Sequence, residues 1–398
     1  MLESLSLIIL VGLAMAAITN KLKLPRIIGM LITGIVLGPY VLNLFDSTIL
    51  SISTELRQIA LIIILIKAGL SLNLSDLKKV GRPAILMSFV PASFEILAYT
   101  IFAPMILGIA HVDAMIMGAV LGAVSPAVVV PRMVNLMEQK YGTTKGIPQM
   151  ILAGASCDDI FVIVLFTTFT NMAQGGSANI KDFFNIPISI VFGIAVGAIT
   201  GYVLALFFET AYARKHNVRN SMKVIIIMGV SFGLMTLEML MKNYVSMSGL
   251  LAVVSMACIV KMKSIQAVSK RLSEKMGKLW LVAEVMLFVL VGSAVDIRYT
   301  LEAGLPALAM IFVALLVRAI GVCICMIGTN MNVKERIFCV ISYLPKATVQ
   351  AAIGSVPLAM GLPCGQIVLS VAVLGILITA PLGAIGMDIS YKKLLEKN

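Results

Sequence analysis

A chain of 398 residues that is 60% hydrophobic and 13% charged is too apolar for a water-soluble globular domain, in which about a quarter of residues are charged. Its mean hydropathy of +1.04 indicates instead a polytopic all-α protein whose solvent is the lipid bilayer. The net charge of +12 does not imply a nucleic-acid partner, because the basic residues are spread over short loops and form no stripe.

Thirteen apolar runs predict thirteen spans. They are residues 5–18, 27–42, 59–72, 83–107, 114–131, 147–170, 184–208, 224–241, 248–260, 279–295, 305–327, 337–359 and 366–387. The first three and the ninth fall short of the roughly 20 residues a spanning helix needs. Charge alternation supports them nonetheless. Odd-numbered loops and the tail hold 24 of the 31 basic residues, among them Lys78, Lys79, Arg82, Arg214, Lys215 and Lys270. Even loops hold only Arg57, Lys181, Lys242 and Arg298. The positive-inside rule then places the N-terminus outside and the C-terminus in the cytoplasm. Glu3 precedes the first run without a cleavage-like segment, so a retained span is expected there, and the residues after Met387 are too few for an added domain. The six cysteines lack metal spacing, and His111 and His216 lie far apart, so no resident metal or cofactor is expected.

The two halves repeat. Span starts correspond at offsets of 219 to 221 residues, with the seventh span as a linker. An offset of seven spans inverts the second half, and inverted repeats are a mark of secondary transporters. Pro126, in GAVSPAVVVP, and Pro345, in LPKATVQAAIG, stand 219 positions apart. A mid-span proline removes a backbone hydrogen bond, so both helices are expected to break at matched depth and to offer free amides and carbonyls to a buried ion.

Buried charges complete the pattern. Each acidic side chain at the centre of a spanning helix costs roughly 2.5–3.5 kcal/mol, so the adjacent Asp158 and Asp159 mark a functional site. They stand about 100° apart on an ideal helix, so one is expected to face an ion cavity while the other reaches in or meets Lys346. Glu95 and Arg318, near the centres of counterpart spans, are expected to form a structural charge pair. Hard cations such as Na⁺ and Li⁺ take oxygen ligands, which the two aspartates, Ser125 and Thr348 can supply. Burial disfavours charge, and neighbouring carboxylates resist joint ionisation, so a proton and a metal cation compete for one site. A protein that reopens only with one or the other bound performs antiport.

GAVSPAVVVP, the double aspartate and LPKATVQAAIG together resemble the sodium/proton antiporters of the cation/proton antiporter superfamily, most closely the NHA-type exchangers of animals and their bacterial relatives. The resemblance covers essentially the whole chain. It implies an NhaA/NapA-like antiporter fold: inverted six-helix repeats with two crossed discontinuous helices, in a homodimer of the cell (plasma or inner) membrane. Residues 1–82 and 220–300 would be scaffold and dimerisation helices, 83–172 and 301–398 a moving core, and 173–219 the linker. Asp158 and Asp159 match the ion-binding pair, Ser125 the polar position at the break, and Glu95 with Arg318 the charge pair. The implied activity is exchange of Na⁺ or Li⁺ for H⁺, serving pH homeostasis. Electrogenic relatives carry a lysine in place of Arg318. Since arginine keeps its proton, the chain leans towards one proton per cation, although Lys346 and the second aspartate leave the stoichiometry open.

Two other classes fit less well. A potassium/proton antiporter or channel-like potassium efflux protein of the same superfamily would share the fold, but such relatives usually carry a cytosolic nucleotide-binding domain. An intramembrane aspartyl protease needs its aspartates on separate helices and a GxGD motif, so no enzyme is expected. Lys67 and Glu238 lie near span ends, and the deeper Glu284 is read as structural or interfacial, with pH sensing as its alternative.

Overall fold

In lipid every backbone amide must find its partner within the protein, which a helix achieves locally. The computed structural model describes residues 1–71, 81–174, 180–213, 218–241, 247–296 and 304–397, and these form helices joined by turns. Of the basic residues named above, Lys78, Lys79, Arg214, Lys215, Lys242 and Arg298 lie outside the described residues, as does His216.

The helices are α1 (Leu2–Lys21), α2 (Arg26–Leu37), α3 (Ser47–Ser51), α4 (Ser53–Ser71), α5 (Arg82–Met87), α6 (Val90–Leu107), α7 (His111–Gly122), α8 (Pro126–Glu138) and α9 (Ile147–Gln174). There follow α10 (Ile180–Ala213), α11 (Asn220–Met241), α12 (Gly249–Lys263), α13 (Gln266–Ser293), α14 (Gly304–Cys325), α15 (Val333–Ser342), α16 (Thr348–Ile353), α17 (Val356–Ala359) and α18 (Gly365–Leu394). Among the described residues, nine segments are long and apolar enough to cross a membrane, and Arg26–Leu37 and Thr348–Ala359 are shorter apolar helices.

Three of the predicted spans are interrupted: the fourth by a turn at residues 88–89 between α5 and α6, the fifth and the twelfth by longer non-helical stretches. The fifth is α7 followed by α8, with residues 123–125 non-helical between them, and the twelfth is α15 and α16 around non-helical residues 344–347. The two prolines stand differently. Pro126 is the first residue of α8, where a missing N–H leaves nothing unsatisfied, whereas Pro345 lies within the non-helical stretch itself.

The chain packs as two compact units. The first comprises Met1–Thr54, Asn73–Ala173 and Val285–Asn398. Within it α6 lies against both α7 and α14, and α18 runs beside α7, α14 and α15. The turn between α8 and α9 is tied down from two sides. Arg132 grips Asp388 through two 3.0 Å hydrogen bonds, Tyr141 meets Tyr391 edge-on at 5.0 Å, and Gly142 N donates to Glu396 O at 2.8 Å. From the other side Lys145 Nζ reaches both oxygens of the buried Glu335 at 2.9 Å. That bond raises the Lys145 pKa above the ordinary lysine value, so on the lysine side the tie persists through neutral pH and gives way as the pH climbs past that raised value.

The second unit comprises Glu55–Leu72 and Gln174–Glu284. Its longest contact joins α10 to α12, where Gly193, Gly197 and Gly201 form a stripe at helical spacing. A Cβ on Gly193 would stand 2.6 Å from Ser248 O, and one on Gly201 equally close to Met256 O; at Gly197 it would collide with Ala252 O. Small residues let helix backbones touch where no hydrophobic effect drives them together. Lys67 lies 5.8 Å from the Trp280 ring in this unit and within electrostatic reach of Glu284.

Gly197→Leu is therefore expected to lower stability by about 1–3 kcal/mol through overpacking. Gly233→Leu, on α11 with open space around it, should leave the unfolding midpoint in detergent unchanged. Equal midpoints for both variants would contradict the close α10–α12 contact.

Candidate functional site

A helix that stops inside the membrane leaves its last carbonyls without amide partners. At the end of α7 three side chains take them in succession. Lys346 Nζ donates to Leu121 O, Arg318 Nη1 to Gly122 O, and Gln350 Nε2 to Ala123 O at 2.9 Å. Two cations thus stand at the negative end of the α7 dipole.

Those cations need a counter-charge, which α6 provides. Glu95 is fully buried, with Arg318 Nη1 2.6 Å from Oε2 and Lys346 Nζ 2.7 Å from Oε1. Neither cation is more than 1% exposed, and an unpaired charge at such depth would be very unfavourable. Arg318 is held on its remaining sides as well: its Nε donates to Tyr343 O at 2.9 Å, and its guanidinium lies 5.5 Å from the Tyr343 ring centroid. Gly154, one turn before Asp158 on α9, makes room for this tyrosine, whose hydroxyl donates to Met87 O at 3.3 Å.

Asp158 joins the network from α9. Its Oδ2 accepts from Val124 N at 2.7 Å and lies 3.3 Å from Arg318 Nη2, so the backbone amide is the closer hold. The two longer helix interruptions are also bonded to each other, since Ser125 N donates to Pro345 O at 2.7 Å. Lys346 N donates to Thr379 Oγ1 at 3.0 Å, and Ala347 N to Gln350 Oε1 at 2.7 Å. Thr348 is buried as the first residue of α16.

The structure brings Glu95, Arg318, Lys346 and Asp158 into one cluster, with Ser125 next to the Val124 contact. Of the two placements the sequence left open for the second aspartate, the pairing with Lys346 is not the one seen; Glu95 holds that ammonium through both oxygens, at 2.7 and 2.8 Å. Asp158 is fully buried, while Asp159, turned around the helix, is half-buried. Three enclosed oxygens here, Ser125 Oγ, Asp158 Oδ1 and Asp159 Oδ1, have no hydrogen-bond partner among the described residues. Carboxylate and hydroxyl oxygens without partners form a donor set suited to a hard monovalent cation or a proton. Sequence reasoning missed Tyr343, Gln350 and Thr379. Of these only Gln350 carried a local signal, as a polar residue three positions after a non-helical alanine in a broken span.

A profile of the family described as "Sodium/hydrogen exchanger, transmembrane" matches residues 6–389. Sodium/hydrogen exchanger 9B2 of Mus musculus is 33% identical over 390 residues, covering 94% of this chain and 69% of that protein. Sodium/hydrogen exchanger 9B1 of Homo sapiens is 33% identical over 392 residues, covering 94% and 73%. In three dimensions the chain resembles the sodium proton antiporter MjNhaP1 from Methanocaldococcus jannaschii at pH 8, with a TM-score of 0.84 over 98% of this chain and 97% of that one. At 20% identity this likeness establishes the fold.

Glu95→Gln should cost about 3–5 kcal/mol, because it leaves two cations without their shared carboxylate. Removing one of them in the double variant Glu95→Gln/Lys346→Met should recover part of that loss. Thermal unfolding in detergent measures both, and a double variant less stable than the single one would refute the shared pairing.

Proposed function

The chain belongs to the transmembrane sodium/hydrogen exchanger family, and on that premise we propose that it exchanges Na⁺ for H⁺ across the membrane at Asp158 and Asp159 by alternating access. One observation carries the choice of site. The buried cluster and its neighbour hold three carboxylates, Glu95, Asp158 and Asp159, against two cations, Arg318 and Lys346. Glu95 is committed to both cations, and Asp158 leans on Arg318 and the Val124 amide. One negative charge is left over at the aspartate pair, and a single H⁺ or a single Na⁺ neutralises it. The two therefore exclude each other, and the protein carries whichever one is bound.

Stoichiometry follows from the same balance. Arg318 keeps its proton at any working pH, and Lys346 has the Glu95 carboxylate and the Leu121 carbonyl as partners for its ammonium. One H⁺ is then exchanged for one Na⁺, without net charge movement. Ser125 adds a neutral oxygen beside the pair, and the interruption at residues 123–125 brings the Val124 amide to Asp158. Pro126 and Pro345 keep residues 123–125 and 344–347 from closing into continuous helix.

In this reading the fifth and twelfth spans are the crossed discontinuous helices of an inverted repeat within thirteen spans. Residues 83–172 and 301–398 form the moving core. Residues 1–82 and 220–300 form the scaffold, through which two copies dimerise, and 173–219 link the halves. The excess of Lys and Arg in the odd loops supports a cytoplasmic C-terminus and an external N-terminus in the cell membrane, where such exchange serves pH homeostasis. The relatives are named for sodium and not potassium, which favours Na⁺ over the potassium alternative.

Proteoliposomes with an acid lumen and a pH-sensitive dye test this directly. External Na⁺ should dissipate the gradient, with Li⁺ also active, and Asp159→Asn should reduce the signal to background. Each unit of acidification should raise the apparent KM for Na⁺ by up to about tenfold, the limit for one competing proton. Clamping the membrane potential should leave the rate unchanged; a rate that follows the potential would refute one-for-one exchange.

A further inference from the structure

Gln350 is fully buried and uses both ends of its amide on the two longer interruptions. Its Nε2 donates to Ala123 O at 2.9 Å, and its Oε1 accepts from Ala347 N at 2.7 Å. The first contact satisfies the carbonyl of the residue that caps the end of α7; the second satisfies the amide just before α16. Only a side chain with a donor and an acceptor on one rigid plane can do both, and the partners fix which way the amide points. Lysine could serve Ala123 but not Ala347, and an ionised glutamate could serve Ala347 but not Ala123.

The placement of this bridge matters more than its strength. Ala123 is followed by Val124, whose N–H holds Asp158, and by Ser125, whose amide holds Pro345 and whose hydroxyl has no partner among the described residues. Across the gap, Ala347 follows Lys346, the ammonium of which grips Glu95 and Leu121. We infer that Gln350 is a positioning residue for ion binding: it holds residues 123–125 in register with residues 345–347, and so sets where the Val124 amide and the Ser125 hydroxyl stand relative to the aspartates. It does not touch the ion. The inference rests on the antiport reading above and adds a group that this reading does not require.

Transport by the wild type, Gln350→Met and Gln350→Glu in proteoliposomes, with Na⁺ titrated at several pH values, tests it. Gln350→Met keeps the volume and loses both bonds. Its KM for Na⁺ should rise about tenfold, the scale seen when an outer partner of an ion ligand is removed, while the maximal rate stays within a factor of about two. Gln350→Glu carries the sharper signature. Protonated, its carboxyl can still donate to Ala123 and accept from Ala347; ionised, it turns a second oxygen on the Ala123 carbonyl. Its KM relative to the wild type should therefore be near unity in acid and climb about tenfold in alkali. The surrounding charged groups, Glu95 on α6, Asp158 and Asp159 on α9, Arg318 on α14 and Lys346, are common to both proteins, so the ratio isolates position 350.

A purely structural role would lower the amount of folded protein equally at every pH and leave the KM alone. That result, or variants that match the wild-type KM throughout, would overturn the inference. If Gln350→Met fails to fold, the pH series on Gln350→Glu decides alone, and if Gln350→Glu fails to fold, the KM of Gln350→Met does. Absence of Na⁺-driven signal in the wild type is a different result, which would remove the antiport reading itself.

Discussion

The buried carbonyl end of α7, in the first unit, is the constraint around which the cluster of charges is arranged. A helix that stops at Gly122 away from water leaves a cluster of negative partial charge that must be met by donors. Lys346 and Arg318 meet it, and once two cations are buried a carboxylate must accompany them, which accounts for Glu95. Asp158 is then drawn to the Val124 amide beyond the break, and Asp159 is carried with it by the helix. The unpartnered oxygens of Ser125, Asp158 and Asp159 are in this sense what remains after the broken helix has been satisfied.

Such a network costs desolvation and returns position. Replacing the whole set by apolar side chains would often be neutral or stabilising, so its presence is better explained by function than by stability. The contacts support that view. Arg318 is fixed by Glu95, Gly122, Tyr343 and Asp158, Lys346 by Glu95 and Leu121, and the two breaks by Ser125 with Pro345 and by Gln350. A site held on so many sides presents its few unpartnered oxygens at a set spacing.

The second unit shows the complementary strategy, in which contact is made without charge. The glycine stripe of α10 brings its backbone onto α12, and the gain is dispersion and close fit. Buried charge concentrates in the first unit, where Glu95, Asp158, Arg318 and Lys346 are all enclosed. Lys67 in the second unit lies beside an aromatic ring and an acidic residue, an arrangement that stabilises a lysine without making a cavity of oxygens.

How far the chain can be read without coordinates varies from residue to residue. Composition determines the solvent, and apolar runs determine helices, because lipid leaves the backbone no alternative. The expense of burying charge singles out Glu95, Asp158, Asp159, Arg318 and Lys346, and the matched prolines locate both longer interruptions. Partnership was decided only in three dimensions. Lys346 chose Glu95, 251 residues away, over the aspartates, and the amide of Gln350 spans to Ala123, 227 residues away. Periodicity and propensity act over a few residues, whereas the choice among buried partners depends on which helices pack side by side and on ångström distances between their side chains. The sequence therefore named the charges, and the tertiary structure assigned them to one another.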